Sequence, residues 1–203
     1  MSLMIFNDDY FYAFIVEGAT EKSIIEILLE NNRFTFSSDS VINYDRTEGL
    51  NSPYKGPNKF YGRPDNFTNE YLNHEYEDKK IIILLVEDRD PSYRIDPIYH
   101  EKIQDIYHVI TRPEIEYVEI LYDDKRSEFD KARRRHKKLK PSEFLSQTEG
   151  VKESEIKSGK RTKEKFQKDI IKLIRVIKSL NSMGNSIQKS TNQPRVLLRK
   201  LLS

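Results

Sequence analysis

An α/β fold, a mostly parallel sheet flanked by helices, is predicted for this chain by three observations. Two short runs, Phe11-Tyr12-Ala13-Phe14-Ile15-Val16 and Ile81-Ile82-Ile83-Leu84-Leu85-Val86, are apolar throughout. Strands of that kind are covered on both faces, as in a parallel sheet. Segments with apolar residues at helical spacing lie between and after them. Strands alternating with helices call for crossover connections and hence parallel pairing.

The first run, Tyr10–Val16, is aromatic and β-branched, which favours a strand. Gly18 permits a sharp turn, and Thr20 is placed to cap the next helix. That helix is expected over Ser23–Asn31, where Ile24, Ile27 and Leu28 share a face with Ile25 and Leu29 beside it. A weaker strand is expected at Ser40–Tyr44. Residues 45–79 carry Gly49, Pro53, Gly56, Pro57, Gly62 and Pro64 and read as a long loop insert. Lys80–Val86 is the clearest strand. Pro97–Tyr107 is expected to be helical, and Glu114–Tyr122 is expected to be a further strand. Beyond it, helices are expected at Ser127–Lys138, from Pro141, and over Arg161–Leu180. Residues 148–160 read as a linker, and residues 181–193 have few apolar residues. A short apolar tail, Val196-Leu197-Leu198 with Leu201-Leu202, closes the chain.

Charge is divided unevenly along the chain. The net charge is +2, yet residues 1–124 hold 12 Lys+Arg against 25 Asp+Glu, and residues 125–203 hold 23 against 8. This marks an acidic front domain, 1–124, and a basic helical C-terminal extension, 125–203. An acidic half can hold cations, and a basic half can hold a polyanion such as nucleic acid. With 203 residues, 36% hydrophobic, the chain is long enough for a sizeable core. It has no cysteine, which removes disulfides, thiolate metal sites and a cysteine nucleophile, and which fits a cytoplasmic location. No run is long enough to span a membrane, and no signal peptide is expected. Its seven glycines form no phosphate-cradling loop, which speaks against an ATPase. His74, His100, His108 and His136 have no metal-binding spacing.

The chemistry is expected where the two apolar runs end. The first leads into Glu17-Gly18-Ala19-Thr20-Glu21 and the second into Glu87-Asp88-Arg89-Asp90. In an open α/β sheet, ligands bind outside the carboxyl ends of the strands. If the runs are neighbours, Glu17, Glu21, Asp88 and Asp90 converge, and carboxylates so crowded need a hard cation to neutralise them. Mg²⁺ or Mn²⁺ is the expected cofactor. Two such ions about 4 Å apart can stabilise both the attacking and the leaving oxygen of a phosphodiester. Glu17 is then a candidate general base. Glu21, on the first helical turn, can fold back over the strand end. Glu87 faces away from Asp88 in an extended chain. Glu114-x-Glu116 is expected on one strand face, with Glu116 as an outer metal ligand.

These residues carry a family resemblance. Glu17-Gly18 after a first strand, with Asp88-x-Asp90 after a later one, is similar to the signature of the Toprim domain. That domain is shared by topoisomerases, primases and the overcoming-lysogenization-defect nucleases. Glu17-Gly18-Ala19-Thr20-Glu21 most resembles the last group. Pro113-Glu114-Ile115-Glu116 and Lys140-Pro141-Ser142-Glu143 are similar to segments of small Toprim-like proteins. The resemblance covers roughly residues 8–123. It implies four parallel strands between helices and one or two Mg²⁺ ions held by Glu17, Asp88 and Asp90, with Glu21 as the second Glu of the variant. It further implies a nuclease acting on DNA or RNA and a role in phage defence, and the missing phosphate-cradling loop makes a separate ATPase subunit an attractive partner. The alternative is a non-catalytic nucleic-acid-binding or regulatory module working with that ATPase.

The densest basic run is Lys131-Ala132-Arg133-Arg134-Arg135-His136-Lys137-Lys138-Leu139-Lys140. On a helix it spreads charge almost all round. Arg133, Arg134, Arg135, Lys137, Lys138 and Lys140 are therefore the candidate nucleic-acid contacts, with no base-reading motif beside them. The opposing expectation is a solvated helix paired with the acidic front. Lys140 has a second possible place, as a charge stabiliser at the acidic site.

Overall fold

A computed structural model describes residues 6–42, 72–73, 75–76, 78–87, 95–110, 114–180 and 195–203. Among these residues the core is a four-stranded, all-parallel sheet in the order β1-β2-β3-β4. The strands are β1 (Phe11–Val16), β2 (Ile81–Glu87), β3 (Ile103–Ile110) and β4 (Arg195–Leu197). β1 and β2 pair in register from Phe11–Ile81 to Val16–Val86. β2 and β3 pair up to Glu87–Ile110, with a register shift at Ile81/Ile82.

Alternation divides the apolar runs between two faces. Tyr12, Phe14, Val16, Ile82, Leu84 and Val86 join the main cluster under α1 (Ala19–Glu30), with Ile24, Ile25, Ile27 and Leu28. Ala13, Ile15, Ile81, Ile83 and Leu85 face the other way, against Leu72, Tyr76, Ile95 and Tyr99. All of β2 from Ile81 to Val86 is buried, so its unbroken apolar sequence follows from coverage on both sides. Each such side chain contributes about 1.5–3 kcal/mol on burial.

Several expected elements are replaced. The strand foreseen at Ser40–Tyr44 is a 3-10 turn, Ser38–Ser40, capped by Ser37, whose hydroxyl accepts from the Asp39 amide at 3.1 Å. Val41 makes only an isolated bridge to Tyr12, and residues 43–44 lie outside the described residues. The helix foreseen at Pro97–Tyr107 is a 3-10 turn, Pro97–Lys102, started by the Asp96 carboxylate, followed by β3. Residues 103–110 instead satisfy their backbone groups on the edge of β2. Sheet context here overrides the helical spacing. The strand foreseen at Glu114–Tyr122 is a turn followed by α2 (Tyr117–Tyr122). Ile115 and Val118 enter the main cluster while Tyr117 and Ile120 enter a third, with Phe129, Phe144 and Leu145. That two-sided burial suits a short helix between two packed layers.

The segment beyond Lys125 contains α3 (Arg126–Arg135), α4 (Pro141–Glu149), α5 (Glu153–Ile156), α6 (Gly159–Phe166) and α7 (Ile170–Ser179). The expected linker at 148–160 is therefore largely helical. Gly150 ends α4 at φ +68°, a left-handed position that suits glycine. The single helix expected over Arg161–Leu180 is broken after Phe166, and Asp169 starts the second piece by accepting the Lys172 amide at 2.8 Å. The expected division at residue 124 falls inside one core. Phe166, Leu173, Ile177 and Val196 share the main cluster with Phe14 and Leu84, and β4 extends the sheet beside β3. The C-terminal half is thus built into the domain rather than appended to it.

α6 packs tightly against α1. Ser23 Oγ donates to the Gly159 carbonyl at 3.1 Å. A Cβ on Gly159 would lie 2.7 Å from Ser23 Oγ and 3.2 Å from the Ala19 carbonyl oxygen. Gly159→Ala should therefore destabilise the fold. Overpacking costs about 1–3 kcal/mol, which outweighs a helix-propensity gain of about 0.5–1 kcal/mol. Thermal melts should show a lower midpoint, and an unchanged or higher one would refute the close packing.

Candidate functional site

The carboxyl ends of β1 and β2 are side by side. Val16 pairs with Val86, and the Glu17 amide donates to the Val86 carbonyl at 3.1 Å. Glu17 is therefore one residue past the last β1 pair, next to the end of β2. Asp88 and Asp90, expected to complete the site, lie outside the described residues.

Gly18, in an extended conformation, precedes α1 and offers no side chain to cap it. A Cβ at this position would lie 2.8 Å from Glu21 Oε2. The Glu21 carboxylate thus folds back over the β1–α1 turn, in the space that a side chain at 18 would occupy. Glu21 is buried. Thr20 does not cap the helix, contrary to expectation. Its hydroxyl donates to Glu116 Oε1 at 3.3 Å. This bond ties the start of α1 to the turn after β3.

Glu114 and Glu116 lie on that turn, not on a strand face, and they diverge. Glu116 is buried, and burial raises its pKa against the opposing influence of Lys157 and the Thr20 hydroxyl. Glu114 faces the start of α4, where Lys140 Nζ is 3.7 Å away and the Ser142 hydroxyl 3.4 Å away. Ser142 also donates to Glu153 at 2.8 Å, and Lys157 pairs with Glu153 at 2.9 Å. The Lys157 hydrogen bond, and then that of Ser142, hold the Glu153 carboxyl below its usual pKa. Glu21 and Glu116 thus flank the start of α1, while Lys140 lies beside Glu114 and Lys157 beside Glu153. Lys140, expected as a nucleic-acid contact or as a charge stabiliser at the acidic site, has Glu114 as its ion-pair partner.

Raising the Glu116 pKa has a consequence for stability. The folded state favours the protonated acid, so its contribution is full below the ordinary carboxylate value and lost as pH rises through the folded value. Glu116→Gln keeps the acceptor for Thr20 and removes the buried charge. In EDTA it should raise the melting temperature at pH 7 and leave it nearly unchanged at pH 4. A variant less stable than the wild type at pH 7 would count against this account.

A second carboxylate group was not foreseen. Glu119, Asp123 and Glu149 each bring an oxygen within 4.8 Å of the others, close enough to hold a metal ion. Three bases already alternate with them. Arg161 reaches Glu119 and Glu149, each at 2.5 Å. Lys165 reaches Glu119 at 2.7 Å and Asp123 at 2.5 Å. Lys125 reaches Glu149 at 3.0 Å and Asp123 at 3.5 Å. The six charges balance and join α2, α4 and α6. A cation entering here would have to displace three bound side chains, so the group reads as a clamp. The sequence held only a faint signal for it, two pairs spaced one helical turn apart, Glu119/Asp123 and Arg161/Lys165.

The basic run is divided as well. Arg133, Arg134, Arg135, Lys137 and Lys138 are exposed. Among the described residues no carboxylate pairs with them. The expectation that this helix pairs with the acidic front does not hold among the described residues.

Fold and candidate site together define a parallel-sheet α/β protein with Glu17 at the paired ends of β1 and β2. No protein-family model matches the chain, nor does any curated protein or solved structure. Among the described residues no helix is long and apolar enough to cross a membrane.

Proposed function

We propose that this protein is a Mg²⁺- or Mn²⁺-dependent phosphodiesterase that cleaves DNA or RNA in the crevice at the ends of β1 and β2. The observation that carries the reading is the bond from the Glu17 amide to the Val86 carbonyl. It sets the ends of β1 and β2, from which the two acidic segments continue, side by side. The folded-back Glu21 and the buried Glu116, tied to α1 by Thr20, add carboxylates at the same end of the sheet. The Toprim resemblance of Glu17-Gly18 and Asp88-x-Asp90 supports the same assignment.

In this reading Glu17, Asp88 and Asp90 hold the metal, with Glu21 and Glu116 on its outer side. Bound metal would supply an activated water and charge neutralisation at the scissile phosphate. Glu17 takes the proton from the attacking water. Lys140 and Lys157 at the rim balance the charge of the phosphate.

Plasmid, single-stranded DNA and RNA incubated with Mg²⁺, Mn²⁺ or EDTA provide the test. Cleavage of at least one substrate with metal and none in EDTA is the expected result. Salt-sensitive binding without cleavage in either metal would replace the proposal with the binding-module reading, in which a separate ATPase subunit supplies the activity.

A further inference from the structure

The basic residues of the C-terminal half are engaged unequally, and exposed cations such as Lys152, Lys168 and Lys200 stand apart from one another in sequence. Lys125, Lys157, Arg161, Lys163, Lys165 and Lys172 are each paired with a carboxylate. Arg133, Arg134, Arg135, Lys137 and Lys138 are exposed, and no carboxylate among the described residues pairs with them. The helix dipole accounts for at most the three arginines, which occupy the last turn of α3. Lys137 and Lys138 lie beyond that helix and gain nothing from its dipole. Like charges this concentrated form a positive patch that attracts a polyanion.

We propose that the corner from the last turn of α3 to Lys138 is the docking surface for the phosphate backbone of a nucleic acid, which leads through Lys140 into the crevice. The proposal rests on the reading of that crevice for its substrate, and on the unpaired cations for its location. Lys140 lies five residues beyond Arg135, with its ammonium at Glu114. The intervening chain spans at most about 17 Å, or about five steps of a duplex at 3.4 Å each. A backbone seated on the corner therefore brings a nearby phosphodiester to the carboxylates. An anionic membrane is the less suitable partner. Phe129 is buried and Leu139 half-buried, so the corner presents no large apolar side chain for a bilayer. Arginines and lysines that meet phosphate in this way bind by charge and not by base sequence.

The test is fluorescence anisotropy with labelled duplex and single-stranded oligonucleotides in EDTA, over a salt series. The full-length protein is compared with R133Q/R134Q/R135Q and with K152Q/K168Q/K200Q, an equal loss of exposed charge elsewhere. Each phosphate contact adds about 0.9 to the slope of log affinity against log salt for a duplex. The arginine variant should therefore lose about 2–3 units of slope, and the control should keep the wild-type slope. Equal slopes in the two variants would overturn the proposal. So would anionic vesicles retaining the wild-type protein while oligonucleotides do not bind at low salt. Binding is read without metal, so failure of cleavage and failure of docking appear separately: a protein that binds through this corner but cuts nothing loses only the catalytic reading.

Discussion

Glu17→Gln is expected to abolish metal-dependent cleavage while leaving the fold intact. Gln has nearly the same volume as Glu and keeps an oxygen acceptor, so the substitution removes the charge and keeps the shape. The amide of residue 17 still donates to the Val86 carbonyl, because that bond belongs to the backbone. What disappears is the proposed anionic ligand and proton acceptor. Loss of a positioned general base lowers the rate by about 10²- to 10⁴-fold, and Asp88→Ala should fall in the same range by removing a ligand. Both are measured as initial rates of cleavage in Mg²⁺, with metal affinity by calorimetry alongside. In EDTA the Glu17 variant should be as stable as the wild type or slightly more so, since one of several crowded carboxylates is neutral. A Glu17→Gln protein with full metal-dependent activity would end the proposed role of this residue.

The largest loss of stability is expected from Glu119→Ala. The Glu119 side chain is 5% exposed and receives both Arg161 and Lys165. Its removal leaves these cations adjacent and partly desolvated. Breaking a fully buried pair costs about 3–5 kcal/mol. Arg161 and Lys165 keep some contact with water, so about 2–4 kcal/mol is expected here. Urea denaturation measures the loss, and the double variant with Arg161→Ala should lose less than the sum of the singles. High salt should reduce the effect only modestly, because a buried pair is poorly screened. The same variant distinguishes the clamp from the crevice. If metal binds at the strand ends, Glu119→Ala keeps the calorimetric Mg²⁺ signal that Glu17→Gln loses. A cost below about 1 kcal/mol, the range of an exposed ion pair, would show that the six charges do not act as a unit.

Different parts of the molecule were legible to different degrees, for physical reasons. β1 and β2 could be read directly, because a strand buried on both faces has no room for a polar residue. β3 and α2 were interchanged. Both are short and mix apolar residues at spacings of two and of three or four, so local pattern is compatible with either structure. The free edge of β2 and the layer around Phe129 and Phe144 decided between them. The helix expected over 161–180 has an unbroken apolar stripe in sequence, yet Asp169 interrupts it by capping a new helix. At the candidate site, the places of Glu17 after β1 and Glu21 on the first turn of α1 could be read from the pattern. Thr20's partner could not, because Glu116 is 96 residues away in sequence.

Composition and pattern alone established a parallel α/β sheet, the two strands whose ends carry the carboxylates, and a basic half with charge to spare. These follow from local rules, since apolar periodicity and charge content are properties of the chain itself. Only the tertiary structure decided that the basic half completes the same core, which of its cations are bound to carboxylates, and which remain on the surface. Ion pairing and helix packing depend on distances between residues far apart in sequence, and those distances exist only once the chain has folded.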